Sequence, residues 1–295
     1  MTQKQTVFMT WIRKAWQRDH ARTLIGSIRT FGGELNKCPI WIFEVDPDHV
    51  SCSSLEGEDI HVFSLEVPEI LMNYYYGDKV FACAQAEMMV DSTVRSLILL
   101  ATENLIIRPP MLFDIRDSQD VAVRPVHIKN VGLSYDEPLD DYWRGVYSAI
   151  GIDDVVPTVE SYVDRKRLRA YFNSAAFSIN PAKGLLNQWL KYFQELVNDR
   201  EYQESTCQDD WHKVFLHQAV LSTLIAGVQT AGGVRILPPD YIYPYNLHTS
   251  VQVERRAEVL NDLTSIYYED RILDPDQMTD VIIQEPLRSW LKKIT

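Results

Sequence analysis

The chain has 295 residues, with 41 Asp and Glu against 29 Lys and Arg, for a formal net charge of −12 at neutral pH. That excess excludes nucleic acid and anionic membrane as bulk electrostatic partners, though not a local basic pocket. With 46% hydrophobic residues, no apolar run near the ~18 needed to span a bilayer and no long apolar segment in MTQKQTVFMTWI, the chain reads as globular, not inserted in a membrane and cytoplasmic.

Residues 6–12 (TVFMTWI) are rich in β-formers and predict a first strand. Trp16, Ala21, Leu24, Ile25 and Ile28 make a helical stripe across 16–31 that Gly32-Gly33 closes. Residues 38–45 predict a second strand before the turn Asp46-Pro47-Asp48, and 60–65 alternate like a third. The Ala-, Met- and Glu-rich run 79–90 predicts a helix, which Asp78 would cap, leaving its N-terminal N–H groups available to an anion. Then comes RSLILLATENLIIRPPMLFD, residues 95–114. Its run Leu97-Ile98-Leu99-Leu100 reads as a strand buried on both faces. The break at Ala101-Thr102-Glu103-Asn104 falls where that strand leaves the core, the place where open α/β sheets collect ligands.

Further along, strands are expected at 121–126, 176–179, 234–237 and 265–268, and helices at 139–150, 184–196, 214–226 and 286–294. The alternation over the first ~115 residues implies a largely parallel sheet with helices on its faces. No repeat or Gly/Ser linker divides the chain, so 1–295 reads as one domain with halves 1–115 and 116–295. Cys38, Cys52, Cys83 and Cys207 form no Cys-x-x-Cys pair and read as free thiols of a reducing compartment. Trp290 is a candidate interface residue. No phosphate-binding Gly-x-x-x-x-Gly-Lys-Ser/Thr loop, dinucleotide Gly-x-Gly-x-x-Gly or Gly-x-Ser-x-Gly elbow occurs.

Four segments, in order, resemble the GT-A-fold nucleotide-diphospho-sugar transferases, especially the glycogenin-like retaining glycosyltransferases. LILLATENLIIRPPMLFD is similar to the strand that carries their Asp-x-Asp motif. Lys79-Val80-Phe81-Ala82 resembles their lysine-led helix, Tyr171-Phe172-Asn173-Ser174-Ala175 their Phe-Asn-Ser-Gly segment, and Phe215-Leu216-His217-Gln218 their Asp-Gln helix. The resemblance implies a mostly parallel mixed sheet, a nucleotide-binding first half and a sugar and acceptor half. It also implies transfer of a glycosyl group from a nucleotide-diphospho-sugar to an acceptor that the sequence leaves unnamed.

The departures concern the metal. In that family two aspartates and a C-terminal histidine hold a divalent cation on the diphosphate, where hard carboxylate oxygens suit Mg²⁺ or Mn²⁺. Here the motif's first Asp is Ala101, the second is Glu103, the histidine falls at Tyr267, and the Asp of Asp-Gln is His217. The cation site is therefore expected to be weakened or absent, with Mg²⁺ or Mn²⁺ still a candidate cofactor, since one carboxylate and the donor's phosphates can hold such an ion. Glu103 is the candidate remaining ligand, with His248 as a replacement; the bland alternatives are a solvated carboxylate and a surface imidazole. Fixed cations could clamp the diphosphate instead: Arg13 and Lys14 after the first strand, and Lys79. Thr10 on that strand and Ser174 join them as candidate donor contacts. Asn173 and Gln218 carry amides able to read sugar hydroxyls, or equally to hold neighbouring backbone. His217 is a candidate general base. The tyrosines of 73–76 and 241–245 suit stacking on a ring. The rival function is a non-catalytic binding or scaffold protein of the same fold.

Overall fold

The computed structural model describes residues 5–46, 48–115, 119–152, 157–230 and 232–294. Pro47, the centre of one expected turn, lies outside them. In chain order the elements are β1 (Gln5–Ile12), α1 (Ala15–Phe31), β2 (Ile40–Glu44), β3 (Ile60–Ser64), α2 (Glu69–Met72), α3 (Gly77–Met89), β4 (Val94–Leu100), β5 (Asn104–Ile106), β6 (Val121–Val123) and α4 (Asp141–Ile150). There follow β7 (Thr158–Glu160), β8 (Arg167–Arg169), β9 (Ala176–Ile179), α5 (Leu185–Asn198), α6 (Arg200–Thr206), α7 (Asp210–Thr230), β10 (Val234–Ile236), β11 (Tyr243–Pro244), β12 (Ser265–Tyr267) and α8 (Leu287–Ile294).

Seven strands build the main sheet in the order β10-β6-β9-β4-β1-β2-β3. Pairing is parallel except where β9 lies antiparallel between β4 and β6, so the mixed, mostly parallel α/β architecture expected from the sequence is the one observed. The sheet runs across the division at residue 115, because β4 from the first half pairs with β9 from the second.

Alternation along β4 explains its unbroken apolar run. Leu97 and Leu99 face a core built with α3, α5 and α7, while Ile98 and Leu100 face a second core under α1. Both faces are covered, so no polar residue is wanted on either. After Leu100 the chain turns, with Asn104 N–H donating to the Ala101 carbonyl at 3.0 Å. The apolar residues that follow do not continue this strand. They form β5, which leaves the main sheet and pairs antiparallel with β12.

Two expectations need correction, and some short elements were missed. The helix expected at 214–226 begins at Asp210, and α6 with the β7–β8 pair was missed; these are short, polar elements whose stability comes from packing rather than propensity. Asp78 does not cap α3. Tyr76 takes that position in a left-handed conformation (φ 58°) without a side-chain cap, and Asp78 lies in the first turn, its carboxyl raised from its usual range by burial. Trp290, half-buried, packs on Phe31 with ring centroids 5.4 Å apart. The four cysteines are free, as expected.

Candidate functional site

The topology brings four segments to one edge of the sheet. β1, β4 and β6 point the same way, so the residues after them, Arg13–Lys14, Ala101–Glu103 and Val126–Asn130, emerge together. β9 runs oppositely, so Asn173–Ala175, which precede it, arrive at the same edge. These segments, the start of α3, the N-terminal half of α7 and the turn after β12 enclose a cleft of about 660 Å³. Of the ten candidate site residues, eight line it: Arg13, Lys14, Lys79, Glu103, Asn173, Ser174, His217 and Gln218.

The other two do not. Thr10 lies within β1, 1% exposed. His248 is buried with both ring nitrogens engaged, Nδ1 with the Tyr243 hydroxyl at 2.9 Å and Nε2 with the Asp280 carbonyl at 3.0 Å. A neutral imidazole spent on both nitrogens has no lone pair left to ligate a cation. Tyr241, Tyr243 and Tyr245 are likewise buried away from the cleft, whereas Tyr75 and Tyr76 line it.

Lys79 dominates the floor. It is 2% exposed; its Nζ donates to the Ser174 carbonyl at 2.6 Å and lies 5.2 Å from the Trp11 ring and 5.5 Å from that of Tyr76. Among the described residues no carboxylate forms an ion pair with it, and burial lowers its pKa to about 8. Its direct contacts are a carbonyl and π faces, Asp78 and Glu103 favour its charge only from a distance, and burial outweighs them, so an anion in the cleft would complete its shell. Nearer the mouth, Arg13 and Lys14 are held by a local device. Both backbone N–H groups donate to Gln17 Oε1 at 2.9 Å, which fixes the turn between β1 and α1.

Beside Lys79 runs a polar chain. His217 Nδ1 lies 2.8 Å from the Val214 carbonyl, which can only accept, so that nitrogen carries the proton. Burial, reinforced by Lys79, holds the imidazole well below its ordinary pKa, and it is neutral. Its Nε2 is therefore an acceptor for the Ser174 hydroxyl at 3.0 Å. Ser174 Oγ also lies 3.0 Å from the Gln218 side-chain amide. One serine proton cannot serve both, and the chain closes when Gln218 turns its NH₂ toward Ser174. Trp189, fully buried, donates its indole N–H to the His217 carbonyl at 2.7 Å and so pins α7 at this point. Truncating such a residue to Ala costs about 3–5 kcal/mol. Asn173 Oδ1 accepts from Ala175 N–H at 2.7 Å.

The acidic side is sparse. Half-buried Glu103 accepts from Thr102 Oγ1 at 2.9 Å, and Ala101 beside it presents no ligand atom. Glu269, which the sequence reading missed, also lines the cleft and is bound by Asn246 Nδ2 at 2.6 Å. Among the described residues no three His, Cys, Asp or Glu side chains come together in a metal-binding cluster. Tyr267, at the expected histidine position, lines the cleft with its hydroxyl pushed well up by burial and by Glu103 and Glu269. This donor set does not fit a carboxylate-and-histidine cation cradle.

The reading also missed the rim. Trp16, 47% exposed, lines the cleft instead of joining the core stripe of α1, and Trp211, 61% exposed, lines it from α7. A signal was present: Trp211, Val214, Phe215 and Gln218 follow the i, i+3, i+4, i+7 spacing of one helix face, hidden once the helix was started at Val214.

The model of the Rhodobacterales glycosyltransferase domain matches residues 12–229, most of the chain. No curated protein sequence matches. The galactosyltransferase LgtC, solved in complex with donor and acceptor sugar analogs, superposes with a TM-score of 0.53 at 12% identity, covering 98% of this chain and 95% of that one. The bifunctional glycosyltransferase WbbM in its apo form gives 0.54 at 8% identity, covering 100% of this chain and 52% of that one. GlyE of Streptococcus pneumoniae gives 0.50 at 10% identity, covering 99% and 60%. At such identities these likenesses show the shared GT-A fold alone. No helix among the described residues is long and apolar enough to cross a membrane. By the match over residues 12–229, the chain belongs to the Rhodobacterales glycosyltransferase domain family.

Proposed function

We propose that the cleft binds a nucleoside-diphospho-sugar and that the protein transfers its glycosyl group to an acceptor, with fixed cations on the diphosphate in place of a carboxylate-held metal. The observation that carries this reading is Lys79, a buried ammonium on the cleft floor with no carboxylate partner among the described residues. As the bond from the anomeric carbon to the diphosphate breaks, negative charge grows on the leaving oxygen. A preorganised cation in a water-poor site stabilises that charge without reorganising. Arg13 and Lys14 serve the outer phosphate, and the exposed Trp16 ring next to them offers a face to the base. The first half of the chain thus supplies the nucleotide end, and the second supplies the sugar readers Asn173, Ser174 and Gln218.

His217 is neutral with both ring nitrogens engaged, and by accepting from Ser174 it orients that hydroxyl toward the sugar. Glu103, with no metal to hold, accepts from a sugar hydroxyl. Because Ala101 and Tyr267 leave the acidic side short of ligands, Mg²⁺ or Mn²⁺ is not required.

Calorimetric titration with UDP- and GDP-sugars, with and without Mn²⁺, tests this. Binding heat that survives chelation is expected for one donor class. Absence of heat for every donor sinks the reading. Binding without transfer or hydrolysis of any donor favours the scaffold alternative.

A further inference from the structure

The far flank of the main sheet carries a charge balance unlike the rest of the chain. Between Lys37 and Lys79 the sequence holds nine Asp and Glu and no Lys or Arg, a balance of −9 out of the net −12. The strands of this stretch are β2 and β3, and β3 ends the row of seven. Five of the carboxylates, Glu56, Glu58, Asp59, Glu66 and Glu69, stand exposed before and after β3. Arg29, beside Asp59 and Glu58, spends its guanidinium on the main-chain carbonyls of Asn36, Cys38 and Asp59. No described residue of 38–74 lines the cleft.

The sheet is open where this charge gathers. The parallel register turns the N–H groups of His61, Phe63 and Leu65 toward β2, the last donating to the Glu44 carbonyl at 2.9 Å. Val62 and Ser64 therefore point their N–H and C=O groups away from β2, and among the described residues no strand lies beyond them. At the start of β3 the corresponding groups of Ile60 are taken by Gly57, at 3.1 and 3.4 Å. Apolar side chains flank the free groups on both faces of the sheet. Val62 is half-buried against the core under α1, and half-buried Phe63 packs on Trp41 with ring centroids 5.4 Å apart.

We propose that the open edge of β3 takes an extended, Lys- or Arg-rich segment of a partner protein as an eighth strand. Main-chain bonds to Val62 and Ser64 supply the pairing, and apolar side chains of the incoming strand extend the partly covered surface of Val62 and Phe63. The carboxylates supply the selection. A second copy of this chain would set one acidic edge against another, which disfavours self-pairing, whereas a basic strand meets opposite charge at both ends of β3. This surface stands apart from the cleft, so its occupancy does not depend on the donor reading.

The test uses the full chain and a fluorescein-labelled peptide of alternating Lys and Val, with a Glu-Val peptide of equal length as the charge control. Fluorescence anisotropy reads binding, hydrogen exchange reads its place, sedimentation reads self-association, and the melting temperature of each variant checks its folding. The basic peptide is expected to bind, about tenfold more weakly at roughly 500 mM salt than at roughly 50 mM. It should slow exchange at the Val62 and Ser64 amides and leave β10, at the opposite edge, unchanged. Glu58→Lys combined with Glu66→Lys should weaken binding about tenfold or more. Val62→Pro removes an outward N–H without touching a bond to β2, so it should weaken the peptide to a similar degree. If Val62→Pro melts early, the charge variant and the exchange pattern decide alone. No binding of the basic peptide, equal binding of the Glu-Val peptide, protection confined to other amides, or unaltered affinity in the charge variant would overturn the proposal. So would self-association that Val62→Pro abolishes, since the edge would then belong to a second copy.

Discussion

The floor and the rim of the cleft are built on opposite terms. On the floor, Lys79, Ser174, His217 and Gln218 are all under 9% exposed, and each is tied by a named hydrogen bond. At the rim, Trp16, Tyr75 and Trp211 stand 46–61% exposed and offer area more than bonds. The floor has already lost the hydration of its charge and sits in a low-dielectric setting, where one fixed cation acts strongly. The rim keeps its water until something stacks on it. On the proposed donor reading the difference gives electrostatic work to the floor and shape recognition to the rim, and it predicts where a substitution trades function against stability.

The largest expected effect follows at once. Lys79→Met keeps length and fills the same space but removes the ammonium. Nucleotide-diphosphate affinity should fall by about a hundredfold or more, as expected for losing a desolvated charge-assisted contact. Stability should move the other way. A lysine held at about 8 rather than 10.5 costs the fold about 3 kcal/mol, so the variant should melt later. A variant that binds nucleotide normally, or that melts earlier, would break the contrast between floor and rim.

A smaller effect sharpens the acidic side. In Glu103→Gln a hydroxyl acceptor turns partly into a donor while the shape is kept. Transfer should drop about tenfold, and binding of the bare nucleotide should hold or tighten slightly, because a negative charge leaves the neighbourhood of the phosphates. Loss of nucleotide binding in this variant, restored by Mn²⁺, would instead make Glu103 a metal ligand. Steady-state kinetics beside calorimetry separates the two.

The same contrast explains what could be read in the sequence. β1, α1, β2, β3 and β4 announce themselves because continuous apolar runs and a helical stripe have few other solutions. The floor was also legible: a lysine opening a helix, an Asn-Ser pair before a strand and a His-Gln pair on a helix are specific residues at specific places. The rim was not. An exposed tryptophan such as Trp211 looks like scattered surface until α7 is known to begin at Asp210, and Glu269 lies beyond a three-residue strand with no local signal. His248 was misplaced for a related reason: a histidine in PYNLH reads as a loop residue, and only the fold shows Tyr243 and Asp280 closing on both its nitrogens.

The smallest effect is the most diagnostic in sign, because pH should push the two properties of Lys79 in opposite directions. Its charged form carries the proposed diphosphate contact, and that form is lost as pH rises through about 8. Nucleotide affinity should therefore fall about fivefold between pH 7 and pH 8.7, tracking the protonated fraction. Stability should run the other way. The folded-state pKa lies below the unfolded value, so between about 8 and 10.5 the unfolded chain binds the extra proton. The penalty of burying the charge is complete below 8 and disappears as pH climbs through that window, so this residue's contribution to stability rises with pH. His217 adds no step near its ordinary value, because burial and Lys79 keep it neutral well below there. In Lys79→Met both slopes should flatten together. If the affinity slope survives that substitution, the titrating cation is at the mouth rather than on the floor, and the electrostatic work belongs to Arg13 and Lys14.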